Sequence, residues 1–183
     1  SYMEREHFAS SSISRSVASI RAFFNYLWKE GHISKDPAEN LKPPKVEKKA
    51  PEILTIEEVD KLLQQPDLNT VKGIRDSAML ELLYATGMRV SEMLHLQITD
   101  VNLQFGYVVC HENGKERIIP IGVPCKKAME HYLESARNVF VKDQQESALF
   151  TNCSGKEMSR QGFWKVLKGY ADSAGIKRDI TPH

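Results

Sequence analysis

The chain has 183 residues, enough for one full domain and part of a second. Hydrophobic residues make up 41% and charged residues 27%, the balance of a folded globular protein and not of a disordered or fibrous one. No apolar run approaches the ~20 residues of a membrane span and no signal-peptide pattern opens the chain, so a membrane role is not expected; three scattered cysteines make the cytoplasm the expected compartment.

The three cysteines, Cys110, Cys125 and Cys153, are scattered without metal-ligand spacing and read as reduced thiols. Net charge is only +1, but its distribution is uneven. Residues 1–50 carry nine Lys/Arg against six Asp/Glu, residues 153–183 six against three, and residues 51–152 ten against fifteen. Two basic ends around an acidic middle can form cationic surfaces that the total conceals.

In chain order, residues 13–31 are predicted as an amphipathic helix. Ile13, Val17, Ile20, Phe24 and Leu27 recur at spacings of three and four, Ser10, Ser11 and Ser12 supply capping hydroxyls, and Gly31 is a natural stop. Residues 1–9 read as the tail of an earlier helix. From Leu41 to Pro51 the chain carries three prolines and four lysines, which resist both helix and burial, and a domain boundary is expected there. An extended loop inside one domain is the alternative.

Beyond it, Thr55 and Glu58 form a capping-box pattern leading into Val59, Leu62 and Leu63. A second helix is expected over about 70–85, with Ile74, Ala78, Leu82 and either Leu83 or Tyr84 inward. Gly87 interrupts it, and a short helix from Val90 to Leu96 follows. The period then changes. Tyr107–Cys110 and Glu116–Ile121 flank Asn113-Gly114, a strong hairpin signal. Helices return at about 124–141 and 159–174, separated by the apolar step Ala148–Phe150. His7, His32, His95, His111 and His131 show no pairing spacing, so no metal site is expected.

The segment with chemistry in it is Ala85-Thr86-Gly87-Met88-Arg89-Val90-Ser91-Glu92-Met93. It sets an arginine at a helix start directly after a glycine break, where backbone N–H groups and a guanidinium fork can jointly hold a phosphate. Glu92 is placed to orient Arg89 or to cap the turn. On these residues alone, a solvated surface arginine remains the commoner reading.

The same segment resembles the first conserved box of the tyrosine recombinases (the phage integrase family), in the XerC/XerD-like form (A/S)TG(L/M)RxSE(L/M). Arg75–Tyr84, the hairpin Gly114-Lys115-Glu116-Arg117-Ile118-Ile119-Pro120-Ile121, the helix start Ser159-Arg160-Gln161-Gly162 and the final Thr181-Pro182-His183 are similar to the family in the same order. The resemblance implies a mainly α fold with a small β-hairpin sheet. Residues 1–41 would be part of an amino-terminal SAM-like core-binding domain, 42–51 a basic proline-rich linker, and 52–183 a catalytic domain lacking its carboxy-terminal part.

It also implies a cofactor-free phosphoryl transfer, in which a tyrosine attacks a DNA phosphate and forms a 3′-phosphotyrosyl link. Arg89 matches the first arginine that grips the non-bridging oxygens, and His183 matches the first residue of the HxxR box. The nucleophile matches none of Tyr2, Tyr26, Tyr84, Tyr107, Tyr132 and Tyr170, so residues 1–183 are expected to bind DNA without cutting it. The family commonly reads GKGxKxR in the hairpin, with the first lysine as general acid. Here the hairpin is one residue shorter and Glu112 falls at that position. Either Lys115 reaches the 5′-oxygen instead, or catalysis is impaired.

The expected partners are a double-stranded DNA recombination site and other recombinase protomers, four on DNA in the full-length protein, with the present residues alone monomeric or weakly associated. The implied DNA contacts are Ser12, Arg15, Ser19 and Arg21 on the first helix, Arg160, Gln161, Lys165 and Lys168 on the last, and Lys42, Lys45, Lys48 and Lys49 in the linker. Trp164 reads as core. The expected function is site-specific recombination, most simply the Xer-type resolution of chromosome or plasmid dimers. Mobile-element integration or transposition, and a catalytically inactive DNA-binding accessory role, are the alternatives.

Overall fold

A computed structural model of the chain describes residues 2–45, 53–112, 114–143, 145–178 and 180–181. It divides into two compact units, Ser1–Pro51 and Glu52–His183.

The first unit holds α1 (Tyr2–Arg5) and α2 (Ser10–Lys29). Helix α2 starts earlier than its hydrophobic period suggests, and Ser10, Ser11 and Ser12 are not its caps. The chain turns at His7, whose φ is 55°, and Ala9 then enters the helix as N-cap without a side-chain hydrogen bond. The Ala9 carbonyl accepts from Ser12 and Ile13 at 2.8 and 3.1 Å, which leaves the serines inside the first turn. The stop is where the glycine placed it. Gly31 adopts φ 74°, and bonds from Gly31 N–H to the Trp28 carbonyl and from His32 N–H to the Leu27 carbonyl close a Schellman turn. Of the predicted apolar stripe, Ile13 and Val17 are buried, whereas Ile20 is 43% exposed. The segment after the helix packs back on it, with Ala38 buried and the Pro44 carbonyl accepting from Ser14 Oγ, and shelters only part of the stripe.

The second unit begins with α3 (Ile56–Leu63), whose capping box is formed as read: Thr55 N–H donates to Glu58 Oε2 at 2.8 Å and Glu58 N–H to Thr55 Oγ1 at 3.2 Å. Its centre is α4 (Val71–Thr86), which buries Ile74, Ala78, Met79 and Leu82 and packs on α6 (Val123–Ser135). Between Leu83 and Tyr84, Leu83 packs against the core and Tyr84 stands 58% exposed. Tyr132 of α6 stacks on Phe150 at 5.3 Å and donates to the Leu149 carbonyl at 2.9 Å, which fixes the apolar step Ala148–Phe150 against it.

Gly73 faces the turn before α4 so closely that a Cβ there would lie 2.0 Å from the Asp67 carbonyl oxygen. Gly73→Ala is therefore expected to destabilise the unit by about 1–3 kcal/mol despite alanine's better helix propensity. Urea unfolding measures it, and an unchanged midpoint would mean that the turn gives way.

After α5 (Val90–His95) and a single 3-10 turn over Ile98–Asp100 comes an antiparallel sheet of β1 (Val101–Asn102), β2 (Tyr107–Glu112) and β3 (Lys115–Pro120), in that order. The β2–β3 hairpin is the one expected from Asn113-Gly114, with Glu112 opposite Lys115 in the register and Gly114 at φ 74°; Asn113 itself lies outside the described residues. Strand β1, only two residues long, carries no alternation to betray it. The helix expected over 124–141 is two helices, α6 and α7 (Arg137–Phe140), broken at Ala136. The break lets the buried Arg137 guanidinium reach the Ala148 and Glu146 carbonyls at 2.7 Å each. Helix α8 (Arg160–Ser173) closes the core through Phe163, Leu167 and Ala171.

Candidate active site

The Arg89 box is built by an alternation of buried and exposed residues around a helix junction. Gly87 ends α4 in the left-handed region at φ 58°, its N–H bonded to the Leu83 carbonyl at 3.0 Å. Met88 and Val90 on either side are buried, as are Met93 and Leu94 one turn on. Those four anchors leave Arg89, the N-cap of α5, with its side chain 57% exposed. The glycine break therefore has a mechanical use: it turns the chain so that one cation is presented outward on a rigid base.

Glu92 does both things the sequence allowed it. Its Oε2 accepts from the Arg89 backbone N–H at 2.6 Å, capping α5, and its Oε1 lies 3.7 Å from Arg89 Nη1. A third group joins them. Arg117 Nη2 on β3 donates to the same Oε2 at 2.8 Å. The Glu92 side chain is only 7% exposed. Burial alone would raise its carboxyl pKa, but the Arg89 N–H and the two guanidinium groups outweigh that and hold it below the ordinary value. It is thus an ionised carboxylate that ties the hairpin to the start of α5.

The register fixes the neighbourhood. Arg117 stands opposite Cys110 and Ile119 opposite Val108, and Cys110 and Val108 are buried, so this face of the hairpin is turned to the core and to α5. Lys115, two residues before Arg117, belongs to the same face of β3 by the period of two, roughly 7 Å further along the strand. It is exposed. On the opposite face, His111 pairs with Asp100 at 3.1 Å and with Glu116 at 3.3 Å, and Ile118 is open to solvent.

The last helix presents the other expected cations. Ser159 caps α8 by accepting from Gly162 N–H at 3.0 Å, and Arg160, Gln161, Lys165 and Lys168 are exposed along it. Trp164 packs partly against the core, as expected, with Lys168 Nζ 5.2 Å from its ring centre. In the first unit Ser12, Arg15, Ser19 and Arg21 are exposed on α2, and Lys42 and Lys45 are exposed after it. Lys48, Lys49 and His183 lie outside the described residues.

Sequence reasoning missed Arg117. The hairpin motif contains Arg117 without marking a role for it, and the strand period aligns it with Lys115. Nor do the buried thiols compete as nucleophiles: burial, with the Glu81 charge added, pushes Cys125 up to about 12, and burial raises Cys110 as well. Among the described residues no group of three or more His, Cys, Asp or Glu is arranged to hold a metal ion, and no helix is long and apolar enough to cross a membrane.

Comparison with known proteins gives this arrangement a context. Residues 52–183 match the phage integrase family. Over 177 residues, 96% of the chain, the sequence is 46% identical to the tyrosine recombinase XerD of Oceanobacillus iheyensis, and the matched stretch spans 59% of that relative's length. Solved structures share the fold, these two among them. One is the XerH site-specific recombinase bound to its difH substrate, in a pre-cleavage complex, with a TM-score of 0.74 at 21% identity over 98% of this chain and 52% of that one. The other is the Tn1549 transposon integrase in complex with circular intermediate DNA, at 0.71 and 20% identity over all of this chain and 66% of that one.

Proposed function

The chain belongs to the phage integrase family, and on that premise we propose that it is the DNA-gripping part of a tyrosine-type site-specific recombinase. The observation that carries the reading is the gathering of Arg89 and Arg117 on one buried carboxylate, with Lys115 on the same strand face. Such an array suits a phosphodiester. Arg89 meets the non-bridging oxygens, with His183 as a second donor, and both offer hydrogen bonds where charge develops in the transition state.

In the whole protein a tyrosine other than the six present here loses its phenolic proton to water and attacks phosphorus, forming the P–O bond through its phenolic oxygen. The P–O5′ bond breaks, and the departing oxygen takes a proton from Lys115 Nζ, leaving a 3′-phosphotyrosyl link, a free 5′-hydroxyl and a neutral lysine. Arg160, Gln161, Lys165 and Lys168 on α8, and Ser12, Arg15, Arg21 and Lys48 in the first unit and linker, hold the duplex by its backbone. The 46% identity to a XerD recombinase favours Xer-type dimer resolution, and with it chromosome partition in the cytoplasm, over mobile-element integration. The working partners are a recombination-site duplex and further protomers of the same family.

Binding of residues 1–183 to a library of DNA duplexes tests the reading. Affinity is expected to fall steeply as salt rises, and to fall by roughly tenfold or more in an Arg89→Ala, Arg160→Ala double variant, since each lost phosphate contact removes affinity and one part of the salt slope. Binding that ignores salt and both substitutions would defeat it.

A further inference from the structure

We propose that Arg117 is a positioning residue for proton transfer to the leaving oxygen, holding the hairpin against the Arg89 box through Glu92 so that Lys115 is delivered to the phosphate that Arg89 grips. The proposal rests on the reading of Lys115 as the group that protonates the 5′-oxygen.

Three observations carry it. By its register the hairpin that bears Lys115 has a two-residue turn; on the opposite face His111 is held by Asp100 at 3.1 Å, but Glu116 and Ile118 of β3 are exposed, so the joint between β3 and α5 lies on the face of Arg117. Arg117 is the hairpin cation that reaches across to α5, and it reaches Glu92 at 2.8 Å. Glu92 Oε2 also receives the Arg89 N–H at 2.6 Å, so one carboxylate oxygen is the joint between the strand carrying the lysine and the residue carrying the phosphate contact. A charge-assisted bond to a carboxylate that is almost wholly buried is short and directional. An exposed lysine two residues further along the strand inherits that direction.

The shortened hairpin makes the joint more consequential. With Glu112 where the family commonly has its lysine, the proton donor sits on β3 itself, on the strand and face of Arg117. Any tilt of β3 then moves the donor directly. A displacement of about 1 Å at a reacting group is enough to cost on the order of a hundredfold in rate.

The test uses the full-length protein that carries this chain and two versions of one duplex selected by binding, with either oxygen or sulfur at the bridging 5′ position. The sulfur leaves as a thiolate and needs no proton. Arg117→Ala and Arg117→Met (the second keeping the aliphatic stem) are expected to lose roughly ten- to a hundredfold in cleavage of the oxygen duplex. On the sulfur duplex both should come within a few-fold of the parent protein, and Arg117→Lys should recover part of the loss on oxygen. Equal loss on the two duplexes, or no loss on oxygen, would overturn the proposal, because a general structural role does not depend on the leaving group. Failure of sulfur to rescue Lys115→Ala is a separate result. It would remove Lys115 as the donor, and this proposal with it, while leaving the DNA-binding reading in place.

Discussion

Lys115→Ala in the full-length protein should lower cleavage of an ordinary phosphodiester by roughly 10²–10⁴-fold, the range over which a positioned general acid acts. On a duplex with sulfur at the bridging 5′ position the same variant should cleave almost as well as the parent. The contrast follows from where the charge goes: an alkoxide needs a proton as the P–O5′ bond breaks, a thiolate does not. Arg89→Ala should behave differently. On the proposed reading it removes a donor from the non-bridging oxygens, which gather charge whatever the leaving group, so a loss of roughly 10²–10³-fold should persist on both duplexes. Undiminished activity of Lys115→Ala on the oxygen duplex would return the acid to another residue. An Arg89→Ala variant rescued by sulfur would mean that the arginine assists departure and does not grip the phosphate.

The legibility of these roles in the sequence followed from the range of the contacts. Thr55 with Glu58, the Asn113-Gly114 hairpin and the Gly31 stop are interactions within a few residues, and each formed where the residues indicate. Arg89 and Glu92 are three apart, so their bond was foreseeable too. The partnership of Glu92 with Arg117 joins residues separated by 25 positions, and no period in either segment announces it. The same limit hid the broken helix at Ala136. Its cause is the reach of Arg137 to carbonyls in the following segment, a demand of the tertiary structure that overrides local propensity. The capping serines were a different error: the motif was sound, but the chain reversal at His7 set the helix start one turn ahead of it.

A buried ion pair in α4 carries the largest expected effect on stability. Arg75 and Asp76 are consecutive, and neighbours one apart on a helix ordinarily do not face each other. Here the arginine folds back, and its Nε and Nη2 donate to Asp76 Oδ1 at 2.9 and 2.7 Å. Its Nη1 donates to the Thr151 carbonyl at 3.1 Å, its guanidinium carbon lies 5.1 Å from the Phe140 ring centre, and Tyr170 Oη donates to Asp76 Oδ2 at 3.0 Å. One pair thereby ties α4 to α7, to the segment between α7 and α8, and to α8 itself. Burial, reinforced by the Asp76 charge, raises the Tyr170 hydroxyl well above its ordinary value, so the phenol keeps the proton it donates. Both charged side chains are nearly solvent-free, at 4% and 7% exposure, and removing one strands the other. Arg75→Ala and Asp76→Ala are each expected to cost about 3–5 kcal/mol. Tyr170→Phe, which removes one donor to a carboxylate still paired with arginine, should cost about 1–2 kcal/mol. The double variant Arg75→Met, Asp76→Leu should cost less than either single change, because two apolar side chains leave no charge unpaired in the core. Urea unfolding of residues 1–183 measures all four. Single variants within 1 kcal/mol of the parent would mean that water reaches the pair on a scale these contacts do not allow. A double variant worse than both singles would mean that the network holds the core through its hydrogen bonds to Thr151 and Tyr170 more than through its charge.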